Sequence, residues 1–418
     1  MCGIFAWFGR KSSAPVPKEQ VLEWTRLMQH RGPDAEGEFT ARNVALGHRR
    51  LSIIDLAAGQ QPMQSPDGSI TLVFNGEIYN YQEIREELLA KGHMFRTHSD
   101  TEVIIEAYRE WGTTSVQRFN GMFAYALWDA RQRRLWVARD RMGVKPLYYY
   151  SDKDRFLCAS EIKPLLAAGN LPRTMNLRVL DAYFSLGYVP GRETMFEGIR
   201  KLPPGHWLEV TEGGVKEVKY WDFAHLSPQG FTYDEACKRT DELLADAVKK
   251  CLVSDVPLGV CLSGGVDSSA VLAFMHASGA SPLASFTASY GKLVPESEES
   301  YAQIAAEKFK TLHHLFLLNA QDFFASIQTM VSHAEEPLVE PAAIPLYHLS
   351  KLARSHVKVL LSGEGSDELF GGYGIYQLML RMERLRSALP DVMWSAFKTA
   401  AHDHGSLKFQ KYADWMAL

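Results

Sequence analysis

The second residue of this chain is a cysteine, and removal of Met1 would leave its thiol and a free α-amino group on one residue. A thiol is a poor nucleophile until it loses its proton, and an uncharged amine a few bonds away can take that proton directly or through one water. Such a terminus attacks a carbonyl without a catalytic histidine. Four further polar clusters fall where loops or strand ends are expected: Arg31-Gly32-Pro33-Asp34, His48-Arg49-Arg50-Leu51-Ser52, Asn75-Gly76-Glu77-Ile78-Tyr79-Asn80 and Ser99-Asp100. A thiolate attacking a carboxamide generates a tetrahedral oxyanion, to which Asn75 and the unhindered N–H of Gly76 can donate. A free amino acid substrate also has two charged ends. An arginine fork suits its carboxylate, and a Glu/Asp pair suits its ammonium. Each cluster alone has a plain alternative: an apolar strand that happens to begin with Cys2, an Asn75-Gly76 turn, a surface pair between Arg50 and Asp55, and Asp100 as a helix cap.

The second half carries a different chemistry. A short apolar strand, Val260-Cys261-Leu262, runs into Ser263-Gly264-Gly265-Val266-Asp267-Ser268-Ser269 and then a helix. Small residues let backbone close around an anion, and a helix N-terminus offers unpaired N–H groups, the makings of a phosphate cradle, with a plain Gly-rich strand-to-helix turn as the alternative. It has neither the GxxxxGK[ST] spacing nor GxGxxG. Asp267 would repel bare phosphate, which makes sense if a divalent cation lies between them. A second glycine-and-acid loop, Ser362-Gly363-Glu364-Gly365-Ser366-Asp367-Glu368, follows the apolar run Val357 to Leu361. Loops at the carboxyl ends of parallel strands can face one crevice.

The elements that must position these residues change period along the chain. In the first half, Leu72-Val73-Phe74 is a strand stopped by Asn75-Gly76, Tyr81 to Lys91 is a helix, and another helix begins after Ser99-Asp100 with Val103, Ile104, Ala107, Tyr108 and Trp111 on one face. Met122 to Trp128, Leu135 to Ala138, Val144 to Tyr150 and Phe156 to Ala159 read as strands joined by hairpins. The second half alternates strands (260–262, 283–288, 313–318, 357–361) with helices (269–277, 300–310, 322–332, 344–354), the pattern of a parallel, helix-covered sheet. His313 and His314, adjacent on a strand, point to opposite faces and are read as structural. Ser227-Pro228-Gln229-Gly230 is the best linker, which divides the chain into residues 2–226 and 227–418.

At 418 residues, two domains are the natural expectation, and 46% hydrophobic with 22% charged residues is ordinary globular composition. The net charge of −4 is spread without a basic stripe, against nucleic acid or a membrane surface as partner. Five cysteines without a CxxC pair, no basic-then-apolar leader and no apolar run of membrane-spanning length predict a cytoplasmic protein acting on small molecules.

Taken jointly, Cys2-Gly3-Ile4, Arg31-Gly32-Pro33-Asp34, Arg50-Leu51-Ser52-Ile53, Asn75 to Asn80 and Ser99-Asp100 resemble the glutaminase domain of class II amidotransferases, N-terminal nucleophile hydrolases. Arg139-Asp140-Arg141, Gly143 and Lys145-Pro146-Leu147-Tyr148 match the asparagine synthetase branch, and the Ser263 to Ser269 loop resembles that of ATP pyrophosphatases. With Ser362 to Glu368 and Phe370-Gly371-Gly372-Tyr373, the resemblance narrows to glutamine-hydrolysing asparagine synthetases.

That resemblance implies a two-domain α/β protein, an αββα sandwich followed by a parallel-sheet nucleotide-binding domain. It implies Cys2 as nucleophile, Asn75 and Gly76 as oxyanion hole, and glutamine held by Arg50, Leu51, Ser52, Ile53, Ile54, Asn75, Gly76, Glu77 and Asp100. ATP would be held by Leu262, Ser263, Gly264, Gly265, Asp267, Ser268, Ser269, Ala288, Ser362 and Gly363, with Mg2+ on Asp267 and Asp367 and Glu364 acting in acyl-adenylate chemistry. Ala288 is smaller than the aliphatic residue more usual in the family. The implied reaction makes asparagine from aspartate, glutamine and ATP, with ammonia passing through an enclosed, largely apolar route between domains; a homodimer is left open. Family members continue well beyond Tyr373, so a C-terminally incomplete synthetase half is expected, with residues 394–418 helical. Two other readings stand: an amidotransferase acting on a different carboxylate, and a truncated chain retaining only glutaminase or binding activity.

Overall fold

A computed structural model describes residues 1–11, 15–291, 298–337, 339–340, 342–388, 393–394, 398–400 and 402. Most of the 394–418 stretch read as helical lies outside the described residues. In chain order the first half runs β1 (Gly3–Gly9), α1 (Lys18–Arg26), β2 (Ala35–Ala41), β3 (Val44–Arg50), β4 (Met63–Gln64), β5 (Ile70–Ile78), α2 (Tyr81–Ala90), α3 (Asp100–Trp111), β6 (Gly121–Asp129), β7 (Arg134–Arg139), β8 (Tyr148–Ser151), β9 (Arg155–Ala159), α4 (Ile162–Gly169), α5 (Leu180–Leu186), β10 (Ile199–Lys201), β11 (His206–Thr211) and β12 (Gly214–Lys219).

Its inner strands β1, β3, β5 and β6 are buried on both faces, and period two sends alternate residues to different cores. On β1, Ile4, Ala6 and Phe8 face a core between two sheets, whereas Phe5 packs with Val21 of α1 and Ile162 and Leu165 of α4. On β5, Val73 joins the central core while Leu72, Phe74 and Ile78 meet Ile84 and Leu88 of α2 and Val103 and Ile104 of α3. The result is helix, sheet, sheet, helix. The sheets are antiparallel, ordered β10-β8-β9-β1-β3-β2 and β12-β11-β7-β6-β5-β4. Each fully buried aliphatic or aromatic side chain here contributes about 1.5–3 kcal/mol.

One expectation fails locally. Asn75-Gly76 is no turn: β5 continues through both, pairing Asn75 with Ala124 and Gly76 with Phe123. A Cβ on Gly76 would lie 2.2 Å from the Met122 carbonyl oxygen and 2.7 Å from Phe123 Cα. The glycine therefore serves close strand approach rather than reversal.

The second half comprises α6 (Tyr233–Cys251), β13 (Leu258–Cys261), α7 (Val266–Ala277), β14 (Ala284–Ser289), α8 (Glu299–Lys308), β15 (Leu312–Leu317), α9 (Ala320–Ala334), α10 (Ala343–Ala353), β16 (Val359–Leu361), α11 (Ser366–Phe370) and α12 (Gly374–Ala388). The Thr232 hydroxyl and the Glu235 carboxylate start α6 with a reciprocal capping box. Four parallel strands, in the order β15-β14-β13-β16, form the expected sheet. Val260, Leu262, Leu272 and Met275 pack on one side of it; Phe286, Leu349 and Ala353 pack on the other. α7 begins three residues before the expected Ser269, which puts Asp267 and Ser268 in its first turn. His313 Nδ1 lies 2.9 Å from Ser285 Oγ, while His314 stacks on Phe286, as opposite faces require. Among the described residues, no helix is long and apolar enough to cross a membrane.

Candidate active site

Cys2 sits at the edge of β1, where β1 and β3 pair, and its sulfur accepts the Leu51 N–H at 3.4 Å. It borders a cavity of about 300 Å³ that also takes in Arg50, Leu51, Ile53, Ile54, Asn75, Gly76, Glu77 and Asp100. Eight expected residues from three sequence-distant segments thus join Cys2 there. Ser52 does not line it; its N–H donates instead to Asp34 Oδ2 at 2.9 Å. The same carboxylate oxygen meets Lys358 Nζ at 2.8 Å.

The electrostatics follow from burial. The chain's amino terminus, on Met1, is lowered to about 6 because its charged form is desolvated. It is therefore largely uncharged at neutral pH, and removal of Met1 would bring the amine onto Cys2. Burial raises the Cys2 thiol. Burial, reinforced by Asp100, raises Glu77 to about 7, and burial raises Asp100 to about 6 against the pull of the Ile78 N–H at 3.1 Å. Ser99 caps α3 by accepting the Thr101 N–H, which fixes Asp100 in the first helical turn.

Arg50 is 4% exposed, so it forms no surface pair. Its guanidinium donates to the backbone carbonyls of Ile54, Asp55 and Leu56 at 3.2, 2.7 and 3.1 Å, which leaves two of its five N–H groups. The Asn75 Nδ2 is buried and has no hydrogen-bond partner. His48, in the same sequence cluster as Arg50, is structural: buried, lowered to about 3 by desolvation, and bonded to the Phe74 carbonyl at 3.1 Å.

A second cavity, about 320 Å³, opens at the carboxyl ends of β13 and β16. Leu262, Ser263, Asp267, Ser268, Ala288, Ser362, Gly363, Glu364 and Asp367 line it; Gly264, Gly265 and Ser269 do not. The last three shape the loop. Gly264 takes φ +87 against Ala302 and Glu298, Gly265 is the N-cap of α7, and Ser269 N bonds back to Gly265. A Cβ on Gly363 would come within 2.8 Å of Asp267 Cβ and 2.9 Å of Ser268 N, so the two loops meet there.

Several lining residues escaped sequence reasoning. Lys145, buried and lowered by desolvation, borders the Cys2 cavity. It lies in the Lys145-Pro146-Leu147-Tyr148 stretch, where the strand expected over Val144 to Tyr150 begins only at Tyr148, so Lys145 sits on the loop leading into β8. Gln61 lines the same cavity while its Oε1 accepts the Phe74 N–H at 2.6 Å. Lys358, Val359 and Leu360 come from the other half of the chain, and nothing in the sequence marked them.

Residues 1–221 match the family model described as glutamine amidotransferase domain, and residues 239–417 match asparagine synthase. A Methanocaldococcus jannaschii protein carrying the provisional name asparagine synthetase [glutamine-hydrolyzing] 2 is 35% identical, over 92% of this chain and 78% of its own length. The chain belongs to the glutamine-hydrolysing asparagine synthetase family. Asparagine synthetase [glutamine-hydrolyzing] 1 of Bacillus subtilis is 36% identical over 94% of the chain, which spans 62% of that relative's length. The chain is also similar to a protein named amidase chyE of Penicillium rubens, 32% identical over 96% of this chain and 63% of the relative.

Proposed function

We propose that this chain hydrolyses glutamine at Cys2 and uses the ammonia to amidate aspartate, activated by ATP in the second cavity, giving asparagine. The observation that carries the glutaminase half is the buried, unpartnered Asn75 Nδ2 in the cavity that Cys2 borders. A buried donor without an acceptor costs about 1–3 kcal/mol, an arrangement suited to an oxygen that becomes anionic during reaction. Cys2 Sγ attacks the side-chain carbonyl carbon of glutamine, and the thiol proton passes to the neighbouring amine. Asn75 and the Gly76 N–H stabilise the oxyanion, ammonia leaves carrying that proton, and water cleaves the thioester to glutamate. Arg50 binds the α-carboxylate through its remaining N–H groups, and Leu51, Ile53 and Ile54 shape that end, with Ser52 tying the loop back to Asp34. Glu77 and Asp100 bind the ammonium, which relieves their mutual repulsion.

In the second cavity, Ser263, Ser268 and the α7 N-terminus suit the phosphates of ATP. Gly264, Gly265 and Ser269 hold that loop, and Leu262, Ala288, Ser362 and Gly363 border the nucleotide. Asp267 and Asp367 border the same cavity, and a pair of carboxylates fits Mg2+, which takes one or two alongside phosphate oxygens. Bound there, Mg2+ would offset phosphate charge. The aspartate β-carboxylate displaces pyrophosphate to form β-aspartyl-AMP, with Glu364 at the reacting end, and ammonia then displaces AMP. β16 supports a short route between the sites. Lys358, Val359 and Leu360 border the Cys2 cavity, and Ser362 and Gly363 border the other. Two residues of extended chain span about 7 Å. Apolar Val359 and Leu360 would keep ammonia unprotonated on the way.

We place the domain division at 226/227, between a glutaminase domain and a synthetase domain. Residues 226–232 belong to no helix or strand, and the two family matches flank them. Five free cysteines and small-molecule chemistry suit a cytoplasmic setting. The amidase-named relative favours one second reading, amidation of a different carboxylate. Isotope exchange between pyrophosphate and ATP across a panel of acids separates the two: exchange stimulated by aspartate is expected, and exchange with another acid but not aspartate overturns asparagine as product.

A further inference from the structure

Two carboxylates of the second domain reach into the first. Glu335 follows α9 directly with φ +62, and its side chain is 4% exposed. Its oxygens accept the N–H groups of Ile162 at 2.5 Å and Lys163 at 2.7 Å, the first amides of α4. Those amides have no partner within their own helix, and the residue placed to cap them, Glu161, makes no capping bond. One oxygen of the Glu161 carboxylate goes instead to His30 Nε2 at 2.7 Å and Arg31 Nη1 at 3.3 Å, and the other meets the Lys163 ammonium at 3.3 Å. Arg31 Nε in turn donates to the Cys2 carbonyl at 3.0 Å. Beside Glu161, Ser160 Oγ accepts the Ile4 N–H and Ser160 N donates to the Ile4 carbonyl, both at 3.0 Å. Burial raises Glu161, but His30, Arg31 and Lys163 outweigh it and leave the carboxyl below its ordinary value.

We propose that Glu335 is a positioning residue for the nucleophile: by capping α4 from the other domain it leaves Glu161 free to orient Arg31, which fixes the Cys2 backbone. This rests on Cys2 being the glutaminase nucleophile. Without the Glu335 carboxylate, the unpaired amides of α4 draw the adjacent Glu161 carboxylate toward them, since a negative side chain is stabilised at a helix N-terminus. Arg31 then loses its anchor. The neighbouring Glu336 provides an internal contrast, because it binds the first domain at Met195 N (2.8 Å) and Lys201 Nζ (3.0 Å) and touches neither α4 nor Arg31.

The test compares Glu335→Ala, Glu335→Gln and Glu336→Ala in the full chain with Met1 removed. Steady-state glutamine hydrolysis and the rate of Cys2 alkylation by iodoacetamide, followed by mass spectrometry, are both read. Glu335→Ala is expected to lower kcat about tenfold with KM within about twofold, as small displacements of reacting groups do. Glu335→Gln, which keeps one carbonyl acceptor, recovers part of the loss, Glu336→Ala stays within about twofold of the unmodified chain, and Cys2 alkylation rates shift in the same order. Wild-type kcat and alkylation in both Glu335 variants overturn the proposal, as does an equal loss in Glu335→Ala and Glu336→Ala. Should Glu335→Ala fail to fold, the isosteric Glu335→Gln decides. If the unmodified chain hydrolyses no glutamine, the glutaminase reading fails, and the alkylation series still decides the positioning role.

Discussion

The two cavities are built by different means. Around Cys2, the chemistry hangs on strands whose two faces are both buried, so Asn75, Gly76 and Glu77 are held by β5 pairing with β6 on one side and by helices on the other. The second cavity rests on strand-to-helix loops above four strands. Its edge strand β15 leaves Leu312, Leu315 and Leu317 exposed, and Leu369 and Phe370 of α11 are exposed beside the loop they close. The first site is thus preorganised by packing. The second depends on one loop touching another, Gly363 against Asp267.

That contrast can be broken at graded cost. Cys2→Ala is expected to remove glutamine hydrolysis by on the order of 10⁶-fold, the scale for loss of a covalent nucleophile, while nucleotide binding in the second cavity is retained. Activity with both assays run on one preparation checks it. Asn75→Ala should lower glutaminase kcat about 10²–10³-fold with little change in KM, as for other oxyanion-hole donors. Next comes pH. Glu77 and Asp100 are raised above ordinary carboxylates, to about 7 and about 6, so both accumulate protons as pH falls through that window. Glutamine KM is then expected to rise about tenfold between pH 8 and pH 6, each unit below a pKa costing a factor of ten in the ionised form. A KM that is flat over this range would remove these acids from ammonium binding. An effect of similar size belongs to the looser site. Gly363→Ala pushes a methyl toward Asp267 and Ser268, and overpacking of this kind costs about 1–3 kcal/mol, so ATP should bind roughly ten-fold more weakly in a titration while glutamine hydrolysis is unchanged.

Much of this was legible in the residues. Short apolar, β-rich runs bounded by turn residues disclosed the strands, the switch to alternating strands and helices disclosed the parallel sheet, and the Ser263 and Ser362 loops converge as their strand-end positions imply. Asn75-Gly76 shows where local reading fails. A dipeptide with strong turn preference is carried through a strand because β6 approaches too closely for any side chain at Gly76. Lys358 to Leu360 and Glu335 were illegible for another reason: their partners lie in the other half of the chain, and no periodicity or spacing encodes a contact between domains.

The central claim is that ammonia freed at Cys2 is consumed at the second cavity of the same chain. It is tested most directly by supplying glutamine labelled with ¹⁵N in its side-chain amide, together with aspartate, Mg-ATP and an excess of unlabelled ammonium, and following glutamate, AMP and asparagine. Glutamate, AMP and ¹⁵N-asparagine in equal amounts, with the label undiluted, is the expected result. Glutamate released without AMP, or asparagine carrying the nitrogen of the bulk ammonium, would contradict it.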